Sequence, residues 1–162
     1  SGVHANGFSL VRHILAQAGL DFTSPAPFMP GASLGEALLT PTRIYVASCL
    51  DAIASGQVKA LAHITGGGLT ENLPRVYPHN LAAELDKNAW NTPALFTWLK
   101  TTGKVEEKEM FRTFNMGIGM VLIINENSAS DIQKRLENSG ETVTVLGQII
   151  PRHAGMPGVV WK

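Results

Sequence analysis

Apolar residues recur at helical spacing at Phe8, Val11, Leu15 and Ala18, between an Asn6 able to cap a helix and a Gly19 able to end it. Residues 20–35 hold Pro25, Pro27, Pro30, Gly31 and Gly35 and read as an irregular loop. Thr40-Pro41 joins a capping side chain to a proline at the first helical position, where the missing N–H costs nothing. The helix it opens runs to Ser55, with Ile44, Ala47, Leu50 and Ala54 on one face and Gly56 as its end. A short apolar run over 59–65 predicts a buried strand, and the glycines after it lead into a short helix limited by Pro74. A strand is predicted over 81–85. Thr92-Pro93 repeats the cap-proline pairing before a helix with Leu95, Phe96 and Leu99 inward and Gly103 at its end. A short charged helix over 105–111 and an apolar strand over 118–125 follow. Ser128 to Asp131 resembles a capping box, opening a helix that Gly140 closes. Residues 142–150 alternate as a strand does, and 158–161 suit a last strand. Interspersed helices and strands predict an α+β fold, helices packed on a mixed β-sheet, in one domain over residues 1–162.

Composition narrows the function classes. The chain has 162 residues, 44% hydrophobic and 16% charged, which describes a folded domain with a core. Lys+Arg and Asp+Glu stand at 13 each, so no surplus of positive charge exists to displace counterions, and no nucleic-acid partner is expected. Cys49 is the only cysteine, so no internal disulfide forms, and a reducing, cytoplasmic location is expected. The longest purely apolar run, 120–124, is far too short to span a bilayer, and no membrane partner is expected. Five scattered histidines and one cysteine form no zinc-ligand spacing, so no metal ligand is expected in this chain. Ser1 rather than Met stands first, and polar motif residues begin at once, so the chain reads as a piece of a longer one.

Three stretches carry candidate chemistry. In "AHITGGGLTENLPR", residues 62–75, three glycines follow a predicted strand and precede a helix. Glycines let backbone N–H groups face an anion with no Cβ in the way, and a helix N-terminus adds partial positive charge. A tight turn between strand and helix is the competing account, and spacing alone leaves both open. His63, at the strand's end, is either a core histidine or a group that contacts phosphate or moves a proton. Glu71 and Asn72 follow, and Arg75 is either a bidentate oxyanion ligand or a surface charge. In "SGVHANGFSLVRHIL", Ser1, Gly2, His4, Asn6 and Gly7 crowd polar and permissive residues ahead of an amphipathic helix. In "RTFNMGIGM", residues 112–120, Asn115 and two glycines lead into an apolar strand.

Together, "SGVHANGFSLVRHIL", "LLTPTRIYV", "AHITGGGLTENLPRV" and "MFRTFNMGIGMVLII" resemble the C-terminal half of the phosphoribosylformylglycinamidine cyclo-ligases, also called aminoimidazole ribonucleotide synthetases. The likeness runs in order over nearly the whole chain and is thinnest after Asn125; Ala5 departs from the serine expected at its position. The resemblance implies ATP-driven ring closure of formylglycinamidine ribonucleotide in purine biosynthesis, with ADP and phosphate released. It implies Mg²⁺ with the ATP, K⁺ as a usual requirement, an N-terminal domain that binds most of both, and a homodimeric parent. It marks His4 and His63 as active-site histidines. Ser1, Gly2, Asn6, Gly7, Thr65, Gly66, Gly67, Gly68, Glu71, Asn72, Arg75 and Asn115 become substrate- or phosphate-binding positions. Formylglycinamidine ribonucleotide synthetase, selenophosphate synthetase and thiamine phosphate kinase are rival ATP-using readings. A non-catalytic phosphate-binding or dimerisation module is a rival of another class.

Overall fold

A computed structural model describes residues 1–162. Along the chain run helix α1 (Phe8–Gln17), α2 (Leu34–Leu38), α3 (Val46–Ala54), strand β1 (Val58–His63), α4 (Gly68–Asn72), β2 (Leu81–Leu85), α5 (Ala94–Gly103), α6 (Glu107–Thr113), β3 (Met120–Ile124), α7 (Ala129–Asn138), β4 (Gly147–Pro151) and β5 (Val159–Trp161). Short 3₁₀ turns, Leu73–Arg75 and Glu126–Ser128, follow α4 and precede α7. The arrangement is α+β. It divides into two compact units, the first made of Ser1–Arg43, Ile64–Glu71 and Thr92–Gly119, the second of Ile44–His63, Asn72–Asn91 and Met120–Lys162.

The first unit is helical. Val11, Ile14 and Leu15 of α1 and Leu95, Phe96 and Leu99 of α5 are buried, as are Met110 and Phe111 of α6. A Cβ on Gly103 would lie 2.6 Å from Ile14, so this glycine is where α1 meets α5. It is also the last residue of α5, the end the sequence suggested, and the left-handed residue past the helix is Lys104, at φ 49°. The segment expected to be loop runs into α2, whose first turn is opened by a capping box: the Glu36 amide donates to Ser33 Oγ at 3.2 Å, and the Ser33 amide donates to Glu36 Oε2 at 2.8 Å. Proline and glycine density hid this Ser-x-x-Glu.

The second unit holds both sheets. β1 and β3 pair antiparallel, with His63 opposite Met120. β2 is central in a mixed three-stranded sheet, antiparallel to β4 and parallel to β5. α3 departs most from expectation. Residues 40–45 are not helical, and Ile44, Ala47, Leu50 and Ala54 are all exposed. The inward residues are Ser48, Cys49 and Ala52, the last in a cluster with Ile132 and Leu136 of α7. Small side chains admit the neighbouring helix, and Arg135 joins Asp51 across the pair at 3.1 Å. The expected Ser128 box is absent; Ser128 Oγ donates to Gln57 Oε1 instead. The strand expected over 142–150 is shorter, since pairing with β2 begins at Gly147.

Four surface carboxylates are held below their ordinary range: Asp21 by the Thr23 hydroxyl and amide, Glu36 by the Ser33 amide, Glu84 by Lys162 and Gln148, and Glu109 by Arg112. Their folded-state values are depressed, so the unfolded chain binds more protons. The stability they contribute is complete above the ordinary carboxylate range of about 4 and is lost as pH falls through their lowered values. Urea midpoints are therefore expected to drop steadily from about pH 5 downward. A midpoint flat over that range would show these contacts to be without weight.

Candidate functional site

In the first unit, three turns from distant parts of the chain are tied to one another. The first precedes α1. Its N-cap is Gly7 rather than the expected Asn6, left-handed at φ 76°, and its carbonyl accepts the Val11 amide at 3.0 Å. A Cβ on Gly7 would stand 2.3 Å from Phe114 Cε1, so only glycine lets this turn lie on that ring. Phe114 packs in turn on Phe96, centroids 5.9 Å apart.

The second turn is 65–68. The Gly68 amide donates to the Thr65 carbonyl and the Glu71 amide to the Gly67 carbonyl, both at 3.0 Å. A Cβ on Gly68 would lie 2.1 Å from the Phe111 carbonyl oxygen and 2.7 Å from that of Phe114. On Gly67 it would lie 2.7 Å from the Glu71 side chain. Two of the three glycines are thus required by close protein approach. Gly66 alone has slack: its nearest atom would be Asn6 Oδ1 at 3.4 Å, which puts Asn6 of the first turn beside the glycine loop. With only five residues, α4 adds little aligned dipole, so any anion binding here must rest on loop amides and side chains.

The third turn is 114–117. Asn115 is 3% exposed, and its amide is spent within the chain: Nδ2 donates to the Gly2 carbonyl, and Oδ1 accepts the Gly117 amide, each at 2.7 Å. The Ser1 amino group donates to the Gly117 carbonyl at 2.9 Å. Asn115 therefore positions the first turn against the third. His4 lies just inside this staple, 5% exposed, at φ 61°, with Met116 at φ 53° and Gly117 at φ 98°. On α6, Arg112 grips Glu109 through Nε and Nη2 at 3.0 Å, and Thr113 Oγ1 donates to the same carboxylate. The carboxylate raises the guanidinium's pKa, and the Glu71 charge adds to the effect.

The remaining sequence-predicted positions fall in the second unit. His63 is exposed at the end of β1, its ring edge-on to Tyr45 with centroids 6.1 Å apart. Asn72 is buried, and Arg75 is exposed in the 3₁₀ turn. Sequence reasoning missed Phe114, the shared floor of two turns, and Arg112, on which the Glu71 charge acts. Arg112 and Phe114 both stand in the quoted stretch before Asn115, but no spacing links them to Gly7 or Gly68. No group of three or more His, Cys, Asp or Glu side chains is placed to hold a metal ion.

The class defined here is an α+β domain in which polar turns from the chain's beginning, middle and later third are pinned into one constellation. The model of the family described as AIR synthase related protein, C-terminal domain, matches residues 1–158, and the chain belongs to that family. Such domains occur in ATP-using enzymes of the AIR synthase type. No helix of the chain is long and apolar enough to cross a membrane.

Proposed function

We propose that the chain is the C-terminal half of a cytoplasmic phosphoribosylformylglycinamidine cyclo-ligase. ATP transfers its terminal phosphoryl group to the amide oxygen of formylglycinamidine ribonucleotide. An internal nitrogen attacks the activated carbon, the bond to the phosphorylated oxygen breaks, and the imidazole closes with loss of ADP and phosphate. His4 and His63 are the proton-moving groups. Ser1, Gly2, Asn6, Gly7, Thr65, Gly66, Gly67, Glu71 and Arg75 contact the ribonucleotide, while Gly68, Asn72 and Asn115 position them. Mg²⁺, K⁺ and most of the ATP belong to a preceding domain, and the parent is a homodimer.

One observation carries this reading: left-handed backbone gathers at His4, Gly7, Gly67, Gly68, Met116 and Gly117, on the turns that bear the family's motif residues. A non-glycine residue held there costs about 1–3 kcal/mol and persists where the surroundings over-determine it, commonly at ligand clamps. Here Asn115 and Phe114 do the determining.

The test is phosphate release from ATP by the full-length parent. Turnover is expected with formylglycinamidine ribonucleotide and not with selenide or thiamine phosphate; the reverse pattern overturns the assignment. The 162-residue chain alone is expected to release no phosphate above background, because it has no metal-holding carboxylate group of its own.

A further inference from the structure

The loop between β4 and β5, together with His79, forms a second polar feature that the proposed reaction does not use. His79, Arg152 and His153 and the 154–157 turn line an open pocket of about 470 Å³ in the second unit. That volume falls in the range of small-molecule sites, about 300–1,000 Å³. All the ionisable side chains on its wall are basic, and no carboxylate lines it.

The loop is built to hold the guanidinium in place. The Arg152 amide donates to the Asn80 carbonyl at 2.8 Å, fixing the loop beside the segment that carries His79. Arg152 Nε donates to the Met156 carbonyl at 2.7 Å, and the Met156 amide donates to the His153 carbonyl at 3.1 Å. Gly155, left-handed at φ 81°, closes the turn. Arg152 is half-buried and forms no ion pair within the chain. Its Nη groups therefore keep their donors for something else. Behind it, the Tyr77 hydroxyl donates to the Gly158 carbonyl at 2.7 Å, which holds the far end of the loop. A guanidinium fixed through Nε presents its outer edge as a two-donor fork, the geometry that matches two oxygens of a phosphate or carboxylate. Two imidazoles beside it add N–H donors from other directions, which suits a tetrahedral group better than a planar one.

We propose that this pocket binds a small organic phosphate monoester, its phosphate held by Arg152, His79 and His153 and its organic part lying along the 154–157 turn. The proposal does not depend on the reaction proposed for the family motif residues.

The test is a titration of the 162-residue chain with ribose 5-phosphate at constant ionic strength, followed by imidazole nuclear magnetic resonance signals. Ribose and sodium sulfate serve as parallel probes. Saturable shifts at His79 and His153 are expected with ribose 5-phosphate, none with ribose, and weaker binding, by about tenfold or more, with sulfate. Shifts at His4 or His63 report the other region and are scored separately. The His79→Gln/His153→Gln double variant is expected to weaken calorimetric binding by about tenfold or more. Both imidazoles are exposed, so circular dichroism is expected to be unchanged. Shifts equal in sulfate, absent at His79 and His153, or unaltered in the double variant overturn the proposal.

Discussion

Gly68→Ala is expected to cost about 2–5 kcal/mol of stability, the largest loss among the three consecutive glycines. Two effects add. The residue sits at φ 56°, where an L side chain costs about 1–2 kcal/mol. The new Cβ would also stand 2.1 Å from one backbone carbonyl oxygen and 2.7 Å from another, and backbone at the end of α6 cannot swing aside as a side chain can. Overpacking of that kind costs about 1–3 kcal/mol. At Gly67 the obstacle is the Glu71 side chain, whose carboxylate can turn away but whose Cβ, also 2.7 Å from the new carbon, is fixed to the backbone, so a smaller clash adds to the cost of φ 97°. Gly66→Ala makes one ordinary contact and is expected to stay within about 0.5 kcal/mol of the parent sequence. Urea denaturation of the three variants gives the order. If Gly68→Ala proved as stable as Gly66→Ala, the contact with α6 would not be the reason for the glycine. Gly66→Ala then has a separate use. A loss of substrate affinity in the full-length parent without loss of stability would place the ligand's approach at Gly66.

His63→Ala in the full-length parent is expected to lower kcat by about 10²–10⁴, the usual worth of one general acid–base group. Its stability is expected to change by no more than about 0.5 kcal/mol, because the side chain is exposed at the end of β1. The contrast is His4→Ala, where a 5% exposed side chain leaves a cavity and any rate loss is mixed with unfolding. Wild-type kinetics in His63→Ala would remove this histidine from the chemistry. A fall in melting temperature matching the fall in rate would make it a packing residue.

Local signals in the sequence were read well where one element's own residues decide the outcome. β2 runs over the predicted 81–85, and the inward face of α5 is the Leu95, Phe96 and Leu99 foreseen from periodicity. They failed where the neighbour decides. The apolar stripe of α3 points outward because the approach of α7 selects the small face of Ser48, Cys49 and Ala52. Gly103 ends α5 as its position suggested, but that it is also a packing notch for Ile14 could not be read locally. The candidate site divides the same way. Its residue types stood out as three separate motifs, and the left-handed backbone at Gly67 and Gly68 is what the tight-turn account of the glycines requires. What fills the space beside those glycines was not legible, because Phe111, Phe114 and Glu71 arrive there only through the tertiary fold. The Asn115–Gly2 bond joins residues 113 positions apart, beyond the reach of any local pattern.

The chain passes between the two units after Arg43, His63, Glu71, Asn91 and Gly119, and this sets an order of events during translation. β1 and β2 leave the ribosome well before any of their partners, since β3, β4 and β5 all begin at or after Met120. At about 5–20 residues per second, the nascent polypeptide carries two unpaired apolar strands for several seconds. The first unit, whose last segment ends at Gly119, can close within that interval. The second cannot close until Trp161 has emerged to lie beside Leu85, and until then it displays an open sheet edge to chaperones and proteases.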